Sequence, residues 1–202
     1  MLIYLDAMIV QYIAEYRDFI FQGIISEHEV TNPANEPKLA AELQALRRLA
    51  FLEQFEHWVF AAPAHLVNEL LAGKPTNAQR EAYKILSQAW EDSAWIESIK
   101  ANEEKVSSIE RLLFFLKIKD KPDKRHLAEA MALGASWFLT NDTNIIKRTR
   151  QKQRELKNLT GEIVMDNPLL TANQMLIRLL DATTVARPSE CVQRVEKFLS
   201  LQ

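Results

Sequence analysis

Cysteine, glycine and long apolar runs are all scarce in this 202-residue chain, and each scarcity excludes a class of protein. The single Cys191 excludes a disulfide scaffold and any zinc site built from several cysteines, and it favours a reducing compartment. No apolar run approaches the roughly 20 residues that cross a bilayer. The first twelve residues include an acid and no base, so no secretory signal is expected. These features predict a cytoplasmic protein without a membrane partner.

The four glycines are well separated, which excludes the phosphate-binding loops that need clustered glycines, such as the Walker and Rossmann motifs. The histidines form no HExxH motif, and no serine lies in a G-x-S-x-G turn. Positive charge is also not in excess, since 25 Lys and Arg face 27 Asp and Glu, for a net charge of −2. A protein that coats nucleic acid is normally basic overall. The total therefore gives no support to that class.

What is present is an alternation of strands and helices. The apolar run 2–5 is continuous, as in a central parallel strand that is covered on both faces. Residues 18–35 are mixed in character and are predicted to form a loop or insertion. Further strands are predicted at 58–61, 137–139 and 162–165, with a short extended segment at 94–96. Helices are predicted at 37–56, 63–73, 77–91, 102–117, 123–133, 143–157, 171–181 and 188–200. This order predicts an α/β fold, a three-layer α/β/α sandwich around a mostly parallel sheet.

Four acids occupy related places in this pattern. Asp6 and Asp142 follow predicted strands, Glu69 lies in the helix after the strand at 58–61, and Asp123 begins another helix. Ligands of parallel sheets collect beyond the carboxyl ends of the strands. Taken singly, each acid also suits a cap, a turn or a solvated helix face. Together, converging carboxylates repel each other unless a cation binds, and all-oxygen ligands favour Mg²⁺ or Mn²⁺. Such an ion activates water for phosphodiester hydrolysis.

These motifs resemble those of the PIN domain family over roughly residues 1–165. The matching segments are Leu2-Ile3-Tyr4-Leu5-Asp6, Glu69-Leu70-Leu71, Asp123-x4-Ala128-x-Ala130 and Phe138-Leu139-Thr140-Asn141-Asp142. The resemblance implies a nuclease domain at 1–165 in which Asp6, Glu69, Asp123 and Asp142 are catalytic and bind one or two Mg²⁺ or Mn²⁺ ions. Thr140 and Asn141 would hold these acids in position without binding the ion themselves. The remaining residues, 166–202, are expected to form a C-terminal helical extension that packs on this domain or on a dimer partner.

Three places depart from the family pattern. They are Ala7 and Met8 after the first acid, Pro63 and Ala64 ahead of the glutamate, and Ile145 where many members have another acid. Fewer polar residues are therefore available around the metal than in typical members. The departures keep a second interpretation open, in which the domain binds nucleic acid with little or no turnover.

The segment 147–157 is strongly basic, with six basic residues and one acid, so its net charge is +5. Such a run also suits a solvated helix face, but this one begins five residues after Asp142. The residues expected to contact RNA phosphates are Lys147, Arg148, Arg150, Lys152 and Arg154. The leading hypothesis is a metal-dependent endoribonuclease, the toxin of a toxin–antitoxin pair, homodimeric and neutralised by an antitoxin protein as in VapC-type members. The alternatives are a non-toxin nuclease of RNA or DNA processing and the binding module.

Overall fold

The computed structural model of the chain shows an α/β protein with helices on both faces of a parallel sheet. It describes residues 1–24, 36–56, 58–62, 65–92, 96–97, 101–118, 120–159 and 168–200. The strands are β1 (Leu2–Leu5), β2 (Val59–Ala61), β3 (Ile96–Glu97), β4 (Trp137–Leu139) and β5 (Thr184–Ala186). The helices are α1 (Ala7–Glu15), α2 (Arg17–Gln22), α3 (Pro37–Glu56), α4 (His65–Ala72), α5 (Asn77–Asp92), α6 (Glu103–Leu113), α7 (Lys121–Leu133), α8 (Thr143–Leu159), α9 (Pro168–Ala182) and α10 (Pro188–Leu199), with a 3-10 turn at Phe114–Leu116.

The five strands lie in the order β3-β2-β1-β4-β5, and all four pairings are parallel. The chain first builds the sheet outward from β1 to β3, then crosses back to place β4 on the other side of β1. The order of the strands therefore reverses between β1 and β4. In open parallel sheets, the crevice at such a reversal is where ligands bind.

The two faces of β1 pack against different helix layers, because side chains alternate along a strand. Ile3 and Leu5 are buried in the core with α1, α2, α3 and α10, whereas Tyr4 is buried with α6, α7, α8 and α9. The Tyr4 hydroxyl donates a 2.7 Å hydrogen bond to Glu129 on α7, and its ring stacks on Phe138 of β4. The sheet is therefore covered on both faces, as the continuous apolar run of β1 predicts.

Two parts of the sequence-based prediction differ from the structure. Residues 17–22 form α2 rather than a loop, because Phe19 and Ile20 are buried against the core and Gly23, at φ 75°, ends the helix. A strand that was not predicted, β5, lies between the two C-terminal helices and pairs with β4. The predicted strand at 162–165 lies outside the described residues. The described part of 166–202 thus contributes one strand to the sheet as well as two helices.

Helix α10 is attached to α3 by one buried and one exposed polar contact. Glu42, 8 % exposed, accepts hydrogen bonds from the backbone N–H and the hydroxyl of Ser189, at 3.0 and 2.8 Å. Glu196 pairs with Arg48 at 2.8 Å on the surface. Unmade hydrogen bonds of buried groups cost far more than the loss of an exposed ion pair.

We therefore expect Glu42→Ala to lower the free energy of unfolding by about 1–3 kcal/mol, because it leaves the first turn of α10 without its acceptor. Glu196→Ala removes an acid between the same two helices and should cost less than about 1 kcal/mol. Urea denaturation of both variants measures the two values. Equal losses would contradict the assignment of Glu42 as the main polar attachment of α10.

Candidate active site

Asp6 lies where β1 ends and α1 begins, and the local structure fixes both its backbone and its side chain. Its N–H donates to the Leu139 carbonyl at 3.0 Å, which joins the end of β1 to the end of β4. Its carboxylate caps α1 by accepting the Ala7 N–H at 2.8 Å. The residue is only 5 % exposed. Burial leaves this acid at the sheet reversal with little access to bulk water.

Thr140 connects Asp6 to Asp142. Its hydroxyl, fully buried, donates to Asp6 Oδ2 at 2.7 Å and accepts the Asp142 N–H at 3.0 Å. Asp142 in turn caps α8, since its Oδ1 accepts the N–H groups of Asn144 and Ile145. One hydroxyl therefore holds together the ends of two adjacent strands and the two acids that follow them.

Asn141 is the neighbour of these residues, and its side-chain oxygen is buried. Among the residues that the structure describes, nothing donates a hydrogen bond to this Oδ1 atom. A buried amide oxygen without a donor costs free energy. This atom is thus a further oxygen at the same edge of the sheet that is not used to hold the fold.

Asp123 and Asp120 approach from α7. Asp120 is the residue before the helix, and its carboxylate accepts the Asp123 N–H at 3.5 Å. Asp120, Asp123 and Asp142 line one pocket of about 380 Å³. Asp120 was not among the predicted site residues, because an acid two residues before a proline at a helix start is typical of a cap.

The carboxylates are close enough to change each other's protonation. Burial raises the pKa of Asp6, and the charges of Asp142 and Asp120 raise it further, against the hydrogen bonds from Thr140 and Ala7. The pKa of Asp123 is raised to about 6, first by partial burial and then by the surrounding carboxylates, Asp6, Asp120, Asp142 and Glu69. The site is therefore a region of concentrated negative charge that would take up protons or a cation.

Glu69 lies on α4, close enough to the other acids for its charge to act on Asp123. Its Oε2 atom is 3.1 Å from Nε2 of His126, which is buried on α7. The Glu69 side chain is 40 % exposed, the most solvated of the four predicted metal ligands. His126 thus links the helix that carries Asp123 to the helix that carries Glu69.

The donor chemistry of these acids fits Mg²⁺ or Mn²⁺, because every ligating atom is a carboxylate oxygen. Within the described part of the chain, no three His, Cys, Asp or Glu residues are grouped as a metal site. Ile145, at the place of a further acid in the resembling family, is buried and contributes no oxygen. The acids therefore share one charged region without forming a complete set of ligands for an ion.

The five predicted RNA-contacting residues are divided between two surfaces of α8. Arg148 lines the acid pocket and donates to the Leu116 carbonyl at 3.5 Å. A larger depression of about 680 Å³ lies beside it and is lined by Lys147, Arg150, Arg154 and Arg187. Lys152 pairs with Glu155 at 3.4 Å instead.

Part of this charge is compensated within the fold. Arg150 forms an ion pair with Glu190 at 2.6 Å, and Arg187 donates to the Thr143 hydroxyl at 3.1 Å. Arg187 was missed in the sequence because it stands alone between a strand and a helix, 30 residues after the end of the basic run. The sheet brings it to α8 because β5 lies next to β4.

Comparisons with known proteins leave the chain without an assigned family, since no family model, no curated protein and no solved structure matches it. Within the described residues, no helix has the length and apolarity needed to cross a membrane. The site's own geometry is therefore the main basis for a function.

The raised pKa of Asp123 makes a prediction about stability and pH. A folded-state pKa of about 6 lies above the unfolded value of about 3.9, so the carboxyl stabilises the fold at low pH and loses this contribution as the pH rises through 6. We expect Asp123→Asn to raise the Tm by a few degrees near pH 7 in EDTA, and the difference to vanish near pH 4.

Asp181 is the matched control, because Lys157, 2.9 Å away, lowers the pKa of this carboxyl. Asp181→Asn should lower the Tm near pH 7, the opposite sign, and again have no effect once the pH falls well below 4. Thermal melts of both variants across this pH range measure the two signs. A lower Tm for Asp123→Asn at pH 7 would contradict the claim that the charged Asp123 is repelled by its neighbouring carboxylates.

Proposed function

We propose that this protein is a Mg²⁺- or Mn²⁺-dependent endoribonuclease whose metal ligands are Asp6, Glu69, Asp123 and Asp142. The observation that carries the proposal is the convergence of these carboxylates at the sheet reversal, where partial burial and then the neighbouring carboxylates raise the pKa of Asp123 to about 6. Crowded carboxylates cost stability unless a cation is bound. The fold keeps these mutually repelling carboxylates at the crevice where parallel sheets bind ligands, and this position favours a metal site.

The chain's own residues have separate tasks in this proposal. The Thr140 hydroxyl holds Asp6 and the backbone of Asp142 in place, so these two acids need little reorganisation when an ion binds. Asp123 and Glu69 close the site from the helices α7 and α4. The ion supplies the activation of a water and the polarisation of the phosphate. Arg148, which lines the acid pocket, is placed to bind a substrate phosphate beside the acids.

The depression on α8 is lined by Lys147, Arg154 and Arg187, and also by Glu155 and by the Arg150–Glu190 ion pair. The charges of Lys147, Arg154 and Arg187 suit the phosphates that flank the cleaved bond. The choice of RNA, the role as a toxin in the cytoplasm, the antitoxin partner and the homodimer rest on the resemblance of the motifs.

The central test is cleavage of a fluorescent single-stranded RNA with Mg²⁺ or Mn²⁺ and with EDTA. We expect cleavage with either ion and none in EDTA. Asp6→Asn should abolish it while the fold survives, because asparagine also caps a helix. Thr140→Val should lower the rate about 10–100-fold, the usual cost of removing a group that orients a metal ligand.

Glu196→Ala serves as the control, since this acid pairs with Arg48 on the surface between α10 and α3. It should cleave like the unchanged protein. Cleavage that persists in EDTA, or in Asp6→Asn at an unchanged rate, would refute the metal mechanism. The Tm of each variant shows whether a lost activity reflects a lost fold.

A second candidate is a nucleic-acid-binding module without turnover. The apolar Ile145, buried where the resembling family often has another acid, favours it. This candidate predicts RNA binding in EDTA with no cleavage under any metal condition. The same assay therefore separates the two candidates.

The toxin role has its own test in cells. Induced expression of the unchanged chain in a bacterial host should arrest growth, because a free ribonuclease toxin depletes RNA. Asp6→Asn expressed to the same level should leave growth unaffected. Normal growth with active, fully expressed protein would favour the non-toxin nuclease of RNA or DNA processing.

A further inference from the structure

The turn between α6 and α7 exposes an aromatic ring next to the acid pocket. Phe114 is 74 % exposed, more than any other large apolar residue that the structure describes. The ring of Phe115 meets it edge to face, with 6.2 Å between the centroids. Phe115 is itself 39 % exposed, so two neighbouring rings are accessible to a ligand at this turn.

The turn is held firmly in spite of this exposure. Leu116 is buried, and the Lys117 N–H donates to the Phe114 carbonyl at 3.1 Å. Arg148, which lines the acid pocket, reaches the Leu116 carbonyl at 3.5 Å. The next described residue along the chain, Ile118, itself lines the pocket. The backbone at Phe114 is therefore fixed, four residues along the chain from Ile118 of the acid pocket.

Positive charge surrounds this ring. A depression of about 550 Å³ is lined by Ser107, Glu110, Arg111, Phe114 and Lys124. Lys117 and Lys121 are exposed on the same connection. Within the described residues, these lysines and Arg111 form no ion pair. The charge is available for an anionic ligand, with Glu110 as the one acid in the lining.

We propose that Arg111, Phe114 and Lys124, together called the Phe114 platform, bind one unpaired base of a single-stranded nucleic acid and its adjoining phosphates. A base stacks on the ring, and the two cations neutralise the backbone. Lys124 lines this depression and Asp123 lines the acid pocket, so a strand that continues along the start of α7 reaches the acids. The direction of the strand rests on the proposed function, whereas the binding itself does not.

The chemistry of the platform favours a nucleic acid over a protein partner. Protein interfaces bury about 800 Å² on each partner and are depleted of lysine at their centre. The platform offers one or two rings among unpaired cations, which is the combination that single-strand binding sites use. The cations therefore favour a polyanion, and the exposed ring favours one that carries flat bases.

The test measures binding in EDTA, where the proposed cleavage cannot occur. The probe is a fluorescein-labelled single-stranded adenosine RNA of about 12 nucleotides, within the range that single-strand grooves cover. We expect Phe114→Ala to raise the Kd at least about fivefold, from the loss of one stacked base. Phe114→Trp should bind within about twofold of the unchanged protein, because it keeps a ring for stacking.

Phe51→Ala is the matched control, since Phe51 is an exposed phenylalanine, 52 % accessible, on α3 in the opposite helix layer. It should leave the Kd unchanged. A probe with the same backbone but no bases separates stacking from charge. Phe114→Ala should not affect its binding, whereas Lys124→Ala should weaken both probes and reduce the salt dependence by about one phosphate contact.

Three results would overturn the proposal. They are no RNA binding by the unchanged protein, equal Kd values for the unchanged protein and Phe114→Ala, and weaker binding by Phe51→Ala to the same extent. Self-association that Phe114→Ala abolishes, with RNA affinity unchanged, would assign the surface to a second copy of the chain instead. Absence of cleavage with Mn²⁺ refutes the nuclease alone, because the platform is measured in EDTA.

Discussion

The pairing of β1 with β4 is the contact on which the rest of the site depends. These two strands come from distant parts of the chain, and their pairing marks the reversal in the order of the sheet. The Asp6 N–H extends the ladder by one hydrogen bond to Leu139, and Thr140 then joins the two strand ends through its hydroxyl. Acids that follow the two strands must therefore meet. The crowding of charge is a consequence of the sheet topology.

The crowding of the carboxylates lowers the stability of the fold, although it is also what would attract a cation to the site. Burial and neighbouring carboxylates raise the pKa of both Asp6 and Asp123, so the charged forms oppose folding. Hydrogen bonds from Thr140 and from helix N-termini offset part of this cost, since Asp6 caps α1 and Asp142 caps α8. The same acids that start these helices are the proposed metal ligands. Their capping role explains why the fold tolerates them without a cation.

Much of the architecture could be predicted from sequence, because burial on both faces leaves a strong pattern. Leu43, Leu46 and Leu49 are all buried on α3, which spans the predicted residues 37–56. Strand β4 likewise has the predicted bounds. In contrast, β5 has three residues without a long apolar run, and only its pairing with β4 identifies it. Tertiary neighbours, which a local pattern does not contain, decide such elements.

Those residues of the candidate site that follow a strand could be predicted from the sequence. Asp6 and Asp142 were found this way, and Thr140 came with the motif around them. Asp120 and Arg187 were not, because an isolated acid at a helix start or a lone arginine has the same local appearance whether or not a pocket lies beside it. Their roles follow from which helix starts and strand ends the sheet brings together.

Helix α7 keeps the acids of the site in position through three contacts. Asp123, His126 and Glu129 are spaced by three residues, so they lie along one side of the helix. The first lines the acid pocket, the second meets Glu69, and the third accepts the Tyr4 hydroxyl bond. Burial and the Glu129 charge raise the pKa of Tyr4, so its hydroxyl remains a donor. Because Tyr4 lies on β1, two residues before Asp6, this buried bond sets the position of Asp123 relative to Asp6. A shift of α7 by one turn would break all three contacts together, and the acid site therefore keeps its arrangement only while the core beneath it is intact.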